Sequence, residues 1–173
     1  MPAKKSERLL QGLIVVLLVV LVYIIADSLR DKVVIVGDTA PDFRITADNG
    51  REITRSNFGG KVLVLNFWAT WCPPCLEEMP SLDEFQRRLA PSGVVVLGVS
   101  VDKSDKAYRE FLRRTRVSFL TARDPKADIS AEYGTFKYPE TYVIDASGKV
   151  VQKHIGARIW TDERFISEIR SLL

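Results

Sequence analysis

Cys72 and Cys75 are the only two cysteines in the 173-residue chain, and only Pro73 and Pro74 separate them. A C-x-x-C pair that follows a buried strand and opens a helix is the arrangement of a redox-active dithiol. Cys72 would stand at the helix N-terminus, where unpaired backbone N–H groups and the helix dipole favour a thiolate. Cys75 lies one turn further on and can close an intramolecular disulfide. In that chemistry Cys72 attacks a partner's disulfide, and Cys75 resolves the mixed disulfide that results. Two other uses of the pair fit less well. A structural zinc site takes four ligands, and only His154 and carboxylates are left to complete one, so no metal site is expected. A purely structural disulfide across so short a loop would stabilise little.

The pair needs a strand before it and a helix after it, and the hydrophobic pattern supplies both. Lys61 to Phe67 is an almost unbroken apolar run of strand length, as in a strand buried on both faces. Pro74 to Leu89 has helical spacing, with Leu76, Met79, Leu82, Phe85 and Leu89 on one side and a kink expected at Pro80. Upstream, Pro41 to Gly60 reads as a small β-hairpin around Asp48-Asn49-Gly50. Downstream come a buried strand over Val94 to Val101 and a helix over Asp105 to Arg114. Two further strands, Thr141 to Ile144 and Val150 to Ile155, are joined by a turn at Asp145 to Lys149. Thr161 is expected to cap a last helix, with Asp162 and Glu163 in its first turn. The order is a hairpin, then β-α-β-α, then β-β-α: an α/β domain without repeats or low-complexity stretches.

The N-terminus is of a different kind. From Leu9 to Ala26 the chain is apolar apart from Gln11 and Gly12, and as a helix it would reach about 27 Å, close to a bilayer's hydrocarbon thickness. Lys4, Lys5 and Arg8 precede it, and Tyr23 stands near its far end at interface depth. These features predict a cytoplasmic tail (1–8), a transmembrane anchor (9–26), a linker (27–36) and a folded domain (37–173) outside the cytoplasm. A cleaved signal peptide fits less well, because Ile24 is a poor match to the small residue a cleavage site needs. A buried core helix would lack enough protein to cover it.

Charge excludes one class of partner. The chain carries 25 Lys and Arg against 22 Asp and Glu, and part of that small excess lies in the N-terminal tail. The Arg113, Arg114 and Arg116 cluster reads as a solvated helix end, and no basic footprint for nucleic acid is left. No nicotinamide or flavin motif is present, so no cofactor is expected.

The segment Val64-Leu65-Asn66-Phe67-Trp68-Ala69-Thr70-Trp71-Cys72-Pro73-Pro74-Cys75 resembles the active-site segment of the thioredoxin superfamily. More narrowly, it is similar to the membrane-anchored TlpA/ResA-like thiol–disulfide oxidoreductases. Gly37 to Phe43 and Tyr138-Pro139-Glu140-Thr141 extend the likeness to about residues 37–173. The resemblance implies a thioredoxin-like fold, a central mixed β-sheet flanked by helices with an N-terminal β-hairpin extension, after a single transmembrane helix. It makes Cys72 the nucleophile and Cys75 the resolving thiol, and it sets Pro139 where the superfamily has a cis-proline beside the disulfide. Glu78 falls where ResA-like proteins carry an active-site glutamate; without the resemblance it would read as a solvated surface carboxylate, and its neighbour Glu77 would point elsewhere.

Asn66 stands where thioredoxin has a buried aspartate. An amide cannot act as a base, which leaves Glu78 for proton handling. Pro73 removes an N–H that could stabilise the Cys72 thiolate. Trp71, Pro73, Tyr138 and Pro139 are the expected partner-binding surface. Trp160 reads as packing under the last helix, and His154 as a hydrogen-bonded or surface histidine.

The resemblance implies a reductant of disulfides in extracytoplasmic proteins, with oxidised apocytochrome c or its carrier as the leading substrate. A transmembrane thiol carrier would supply the electrons, and the protein would be single-pass in the bacterial cytoplasmic membrane with its catalytic domain in the periplasm. Three alternatives stay open: an oxidase or isomerase using the same pair in the other direction, a thiol peroxidase, and a tethered binding module without redox chemistry.

Overall fold

The computed structural model describes residues 3–28 and 33–173, with side chains described for 11–25 and 33–173. The chain divides into two units, Met1–Lys32 and Val33–Leu173. The first contains helix α1 (Ala3–Ser28). Its described side chains stop short of the about 20 apolar residues that a span needs, and among the described residues no helix is long and apolar enough to cross a membrane. The expected 9–26 span extends past the described side chains at both ends. The tail side chains and residues 29–32 of the linker lie outside the described residues.

The second unit is an α/β domain built on β3 (Val62–Trp68), every residue of which is buried. This strand forms the middle of a five-stranded sheet with order β5-β4-β3-β6-β7. β4 (Val94–Ser100) runs parallel to β3 and β5 (Leu120–Arg123) parallel to β4. β6 (Glu140–Ile144) is antiparallel to β3, and β7 (Val150–Ile155) antiparallel to β6. The hairpin strands β1 (Arg44–Thr46) and β2 (Glu52–Thr54) pair separately, with Ile45 opposite Ile53.

Because side chains alternate across a strand, β3 divides its residues between two cores. Val62, Val64 and Trp68 pack under α2 (Pro73–Leu89), against Met79, Leu82 and Phe85 among others. Leu63, Leu65 and Phe67 face the other side, toward Phe43, Tyr133 and Tyr142. Asn66 falls on the first face by parity, so the amide must lie beneath α2.

Helix α2 begins at the residues that least need backbone donors. Pro73 and Pro74 fill its first turn, where an N–H would be unpaired in any case, and Cys72 is the N-cap. Pro80 sits inside the helix. α3 (Asp105–Thr115) is capped by Ser104, whose hydroxyl accepts from Ala107 N at 3.2 Å. The last helix, α5 (Glu163–Arg170), is capped by Asp162 and not by Thr161 as the sequence suggested. The Asp162 carboxylate accepts from both Arg164 N and Phe165 N, and an ionised acceptor holds two such donors better than one hydroxyl does.

Two elements were not expected from sequence, β5 and the short helix α4 (Asp128–Glu132). They turn β-α-β-α into β-α-β-α-β-α and provide the sheet's outer parallel strand.

Val34, in the stretch read as linker, is buried and donates its N–H to Tyr133 O at 3.2 Å.

Gly98 in β4 shows how tightly the α2 face is packed. A Cβ there would lie 2.8 Å from Phe119 Cε2 and 3.1 Å from Trp68 Nε1. Gly98→Ala is therefore expected to destabilise the domain by about 1–3 kcal/mol, read as an earlier midpoint in chemical denaturation followed by tryptophan fluorescence.

Candidate active site

Cys72 and Cys75 are joined in a disulfide at the start of α2. Cys75 is fully buried and Cys72 nearly so. Cys72 Sγ accepts from Cys75 N at 3.3 Å. Since Pro73 and Pro74 have no N–H, this is the first donor of the helix that can reach the sulfur. A Cys72 thiolate would thus meet the helix dipole with one main-chain donor in place of the two or three that an ordinary first turn offers.

The turn before Cys72 is held by Asp102, a buried carboxylate just past β4. It accepts from Thr70 N at 2.9 Å, from Thr70 Oγ1 at 2.6 Å and from Ser100 Oγ at 2.6 Å. Val101 N adds a bond to Trp68 O at 2.9 Å. The cysteine turn is thereby tied to the neighbouring strand. Asp102 was not singled out from the sequence, where a lone aspartate after an apolar strand carries no distinguishing signal.

The Tyr138–Pro139 peptide bond is cis. Tyr138 packs edge-on against Trp71, with ring centroids 5.9 Å apart, so this bond lies beside the cysteine turn. Pro139 is buried and its carbonyl accepts from Gly156 N at 2.8 Å. Trp71 is 63% exposed and Pro73 is exposed, so both are open to a partner. Glu77 points to solvent.

Glu78 lies inward, with only 2% of its surface exposed. Its Oε1 accepts from Asn66 Nδ2 at 2.9 Å, and its Oε2 accepts from Trp160 Nε1 at 3.0 Å and Arg158 N at 3.2 Å. Asn66 Nδ2 also reaches Thr141 Oγ1 at 2.8 Å. Burial pushes the Glu78 carboxyl up from 4.5 to about 6, and the hydrogen bonds from Trp160, Asn66 and Arg158, with the Arg158 charge, hold it from going higher. A groove lined by Glu77, Glu78, Pro80, Ser81 and residues 157–159 borders this carboxyl.

Trp160 does pack where expected, against Phe85 and Phe165, but its indole also binds the site carboxylate. That bond could not be read from sequence, because the two residues are 82 positions apart. His154 is half-buried, bonded to Gln152 and beside the Arg158 guanidinium. Burial, followed by the Arg158 charge, lowers it to about 4. Among the described residues no group of three or more His, Cys, Asp or Glu could hold a metal.

A buried dithiol–disulfide pair at a helix N-terminus, beside a cis-proline and over a mixed sheet, defines a thioredoxin-like thiol–disulfide oxidoreductase. The comparisons with known proteins agree: residues 36–153 match the AhpC/TSA family, and the chain belongs to it. It is 36% identical over 118 residues to the thiol-disulfide oxidoreductase ResA of Bacillus thuringiensis subsp. konkukian, covering 68% of each chain. With ResA of Geobacillus kaustophilus it shares 34% identity over 172 residues, 96% of this chain and 99% of that one. In structure it is similar to a thiol:disulfide interchange protein of the thioredoxin family from Chlorobium tepidum. There the TM-score is 0.67 and the identity 27%, over 76% of this chain and 95% of that one. The chain is a ResA-like enzyme of thiol–disulfide exchange.

The Glu78 environment sets a pH dependence of stability. A folded-state value of about 6 against 4.5 means that the folded protein binds this proton more tightly than the unfolded chain. The contribution of Glu78 to stability is therefore greatest below pH 4.5 and declines by about 2 kcal/mol as pH rises through 6. His154 works in the opposite direction: its contribution is complete above pH 6.5 and is lost as pH falls toward 4. The difference between Glu78→Gln and wild type cancels His154. Denaturation at a series of pH values is expected to show the variant gaining about 2 kcal/mol on wild type between pH 4.5 and 7.5. A difference that stays flat over that range would mean that burial does not raise this carboxyl.

Proposed function

We propose that the protein is an extracytoplasmic reductant of protein disulfides, tethered by residues 9–26. The observation that carries the direction is the proline pair at the start of α2. A pair becomes oxidising when its thiolate form is strongly stabilised. Cys72 has a single first-turn N–H to offer its thiolate, from Cys75 at 3.3 Å, and this leaves the dithiol the better electron donor.

In the forward reaction the Cys72 thiolate attacks a sulfur of the partner's disulfide. One Cys72–partner bond forms, and the partner's first thiolate leaves. Cys75, deprotonated, then attacks Cys72 Sγ, restores the Cys72–Cys75 disulfide and releases the partner's second thiolate. The two protons lost by Cys72 and Cys75 end on the partner's thiols, and two electrons pass to it. Glu78, one helical turn beyond Cys75, takes the Cys75 proton in the resolving step. Trp71, Pro73, Tyr138 and Pro139 receive the partner, whose backbone can pair beside the cis-proline as an added strand. A dithiol carrier in the membrane must return the enzyme to its reduced form.

Support for the placement comes from the apolar run with its preceding basic residues and from the ResA relatives, one of which matches over nearly the whole chain. Oxidised cysteines of apocytochrome c, or of a carrier acting on them, are the proposed substrate. Its family membership keeps peroxide reduction in view as a second reading, but a resolving cysteine three residues from the nucleophile suits exchange with protein disulfides.

The direction is tested by the reduction potential of the pair, equilibrated against glutathione or dithiothreitol buffers. A value near or below about −270 mV is expected, and one near about −120 mV would make the protein an oxidase. The division of labour is tested by trapping. Cys75→Ser is expected to accumulate mixed disulfides with its substrates on a non-reducing gel, and Cys72→Ser to accumulate none.

A further inference from the structure

The two oxygens of Glu78 are not equivalent. Oε1 accepts one hydrogen bond, from Asn66 Nδ2 at 2.9 Å. Oε2 accepts two, from Trp160 Nε1 at 3.0 Å and from Arg158 N at 3.2 Å. An indole N–H and a backbone N–H are donors only and cannot turn to accept a proton. A proton arriving on Oε2 would displace one of them, and a displaced indole would be stranded, because Trp160 is fully buried. A proton arriving on Oε1 displaces nothing.

The neighbour of Oε1 is also the one that can reverse. Asn66 now presents Nδ2 to both Glu78 and Thr141, while its Oδ1 is buried with no partner. A half-turn of the amide would bring Oδ1 to face a protonated Oε1 as an acceptor. The Thr141 hydroxyl suits either orientation, since it can donate or accept. From this asymmetry we infer that Trp160 is a positioning residue: its indole occupies Oε2 and directs the proton carried by Glu78 to Oε1, facing Asn66 and Thr141.

The indole is itself well held. Trp160 N donates to Ser81 Oγ at 3.2 Å, and its ring packs on Phe165 with centroids 5.4 Å apart. Ser81 is on α2, almost one turn beyond Glu78, so the helix that carries the carboxyl also anchors the segment carrying its donors. The other end of that segment is Gly156, bonded to Pro139 O at 2.8 Å. The charged or titratable groups around Glu78 are few. The 156–160 segment brings Arg158, β7 brings His154 behind it, and α2 brings Glu77, which faces solvent, and the cysteine pair. β3 and β6 contribute only the neutral Asn66 and Thr141. From α5 and its cap, Glu168 and Asp162 act on Arg158.

This inference rests on the reading of Glu78 as the proton acceptor of the resolving step, and the test separates the two. The full-length protein is labelled with 13C-glutamate, the Glu78 carboxyl resonance is identified by its loss in Glu78→Gln, and its titration is followed by NMR. Trp160→Phe removes the indole donor and is expected to raise the Glu78 midpoint by about one pH unit. In the wild type, the Asn66 side-chain amide resonances are expected to move at that same midpoint. An unchanged midpoint in Trp160→Phe overturns the inference. So does an Asn66 amide that ignores the titration.

Exchange kinetics supply the second readout. The pH profile of disulfide exchange is expected to move with the midpoint in Trp160→Phe, and Trp160→Phe is expected to cause no such movement in a Glu78→Gln background. An equal movement in that background would mean that Trp160 acts through packing alone, and the inference fails. A midpoint that shifts while the exchange profile stays in place would uphold the role of Trp160 and remove Glu78 from the proton transfer. If Trp160→Phe does not fold, Ser81→Ala keeps the indole and loosens its mooring; a smaller rise of the Glu78 midpoint is then expected, and no rise overturns the inference.

Discussion

A carboxylate can be buried only where donors meet it, and the site depends on how Glu78 obtains them. Its three hydrogen bonds come from β3, from the backbone of the segment after β7, and from an indole at the foot of α5. Each of those parts has to be in place before the carboxyl can be accommodated. Two of these parts, with the helix that carries Glu78, also enclose the cysteine pair: β3 leads into it, α2 carries it, and the 156–160 segment is bonded to the cis-proline beside it. Satisfying one buried acid therefore also assembles the surroundings of the disulfide, which is economical in so small a domain.

The opposite face of the sheet repeats the problem with a different answer. Glu140, next to Pro139 in sequence, is buried and points away from α2 by the alternation along β6. It is paired with Lys153 at 2.9 Å and also bonded by the Tyr142 hydroxyl. Here the carboxyl is met by a lysine side chain, and the acid serves as part of the packing. Glu78 has only neutral donors in direct contact, which leaves its proton exchangeable. Two glutamates on the two sides of one sheet thus have different uses because of what stands opposite each.

Much of this was legible in the chain beforehand. β3 and α2 announce themselves by an apolar run and a helical stripe, and the cysteines by their spacing. Glu78 needed the family resemblance, because a glutamate next to another glutamate on a helix otherwise reads as solvated. β5, with four residues, and α4, with five, are too short to carry a period, so their existence depends on the space that β4 and α3 leave. Asp102 and the Trp160 bond to Glu78 were illegible for another reason. Each joins residues 32 or more positions apart, through directional contacts that no local pattern encodes. The cap of α5 was displaced by one residue, as happens where Thr and Asp stand side by side and the stronger acceptor takes the place.

Lys153 has one more partner, the carbonyl of Val34, at 3.0 Å. Close by in sequence, Gly37 N and Asp38 O make a pair of main-chain bonds to Val150. The segment through which any tension from the N-terminal side must pass is therefore moored along β7, chiefly at the Val150 end. The cis-proline lies toward the other end of the β6–β7 pair, where Glu140 is opposite Ile155, about 17 Å away at the usual rise per residue. Lys153 stands nearer that end, and its pairing with Glu140 joins Val34 to the residue that follows the cis-proline, so the first residues of the domain and the turn beside the cysteines share one side chain.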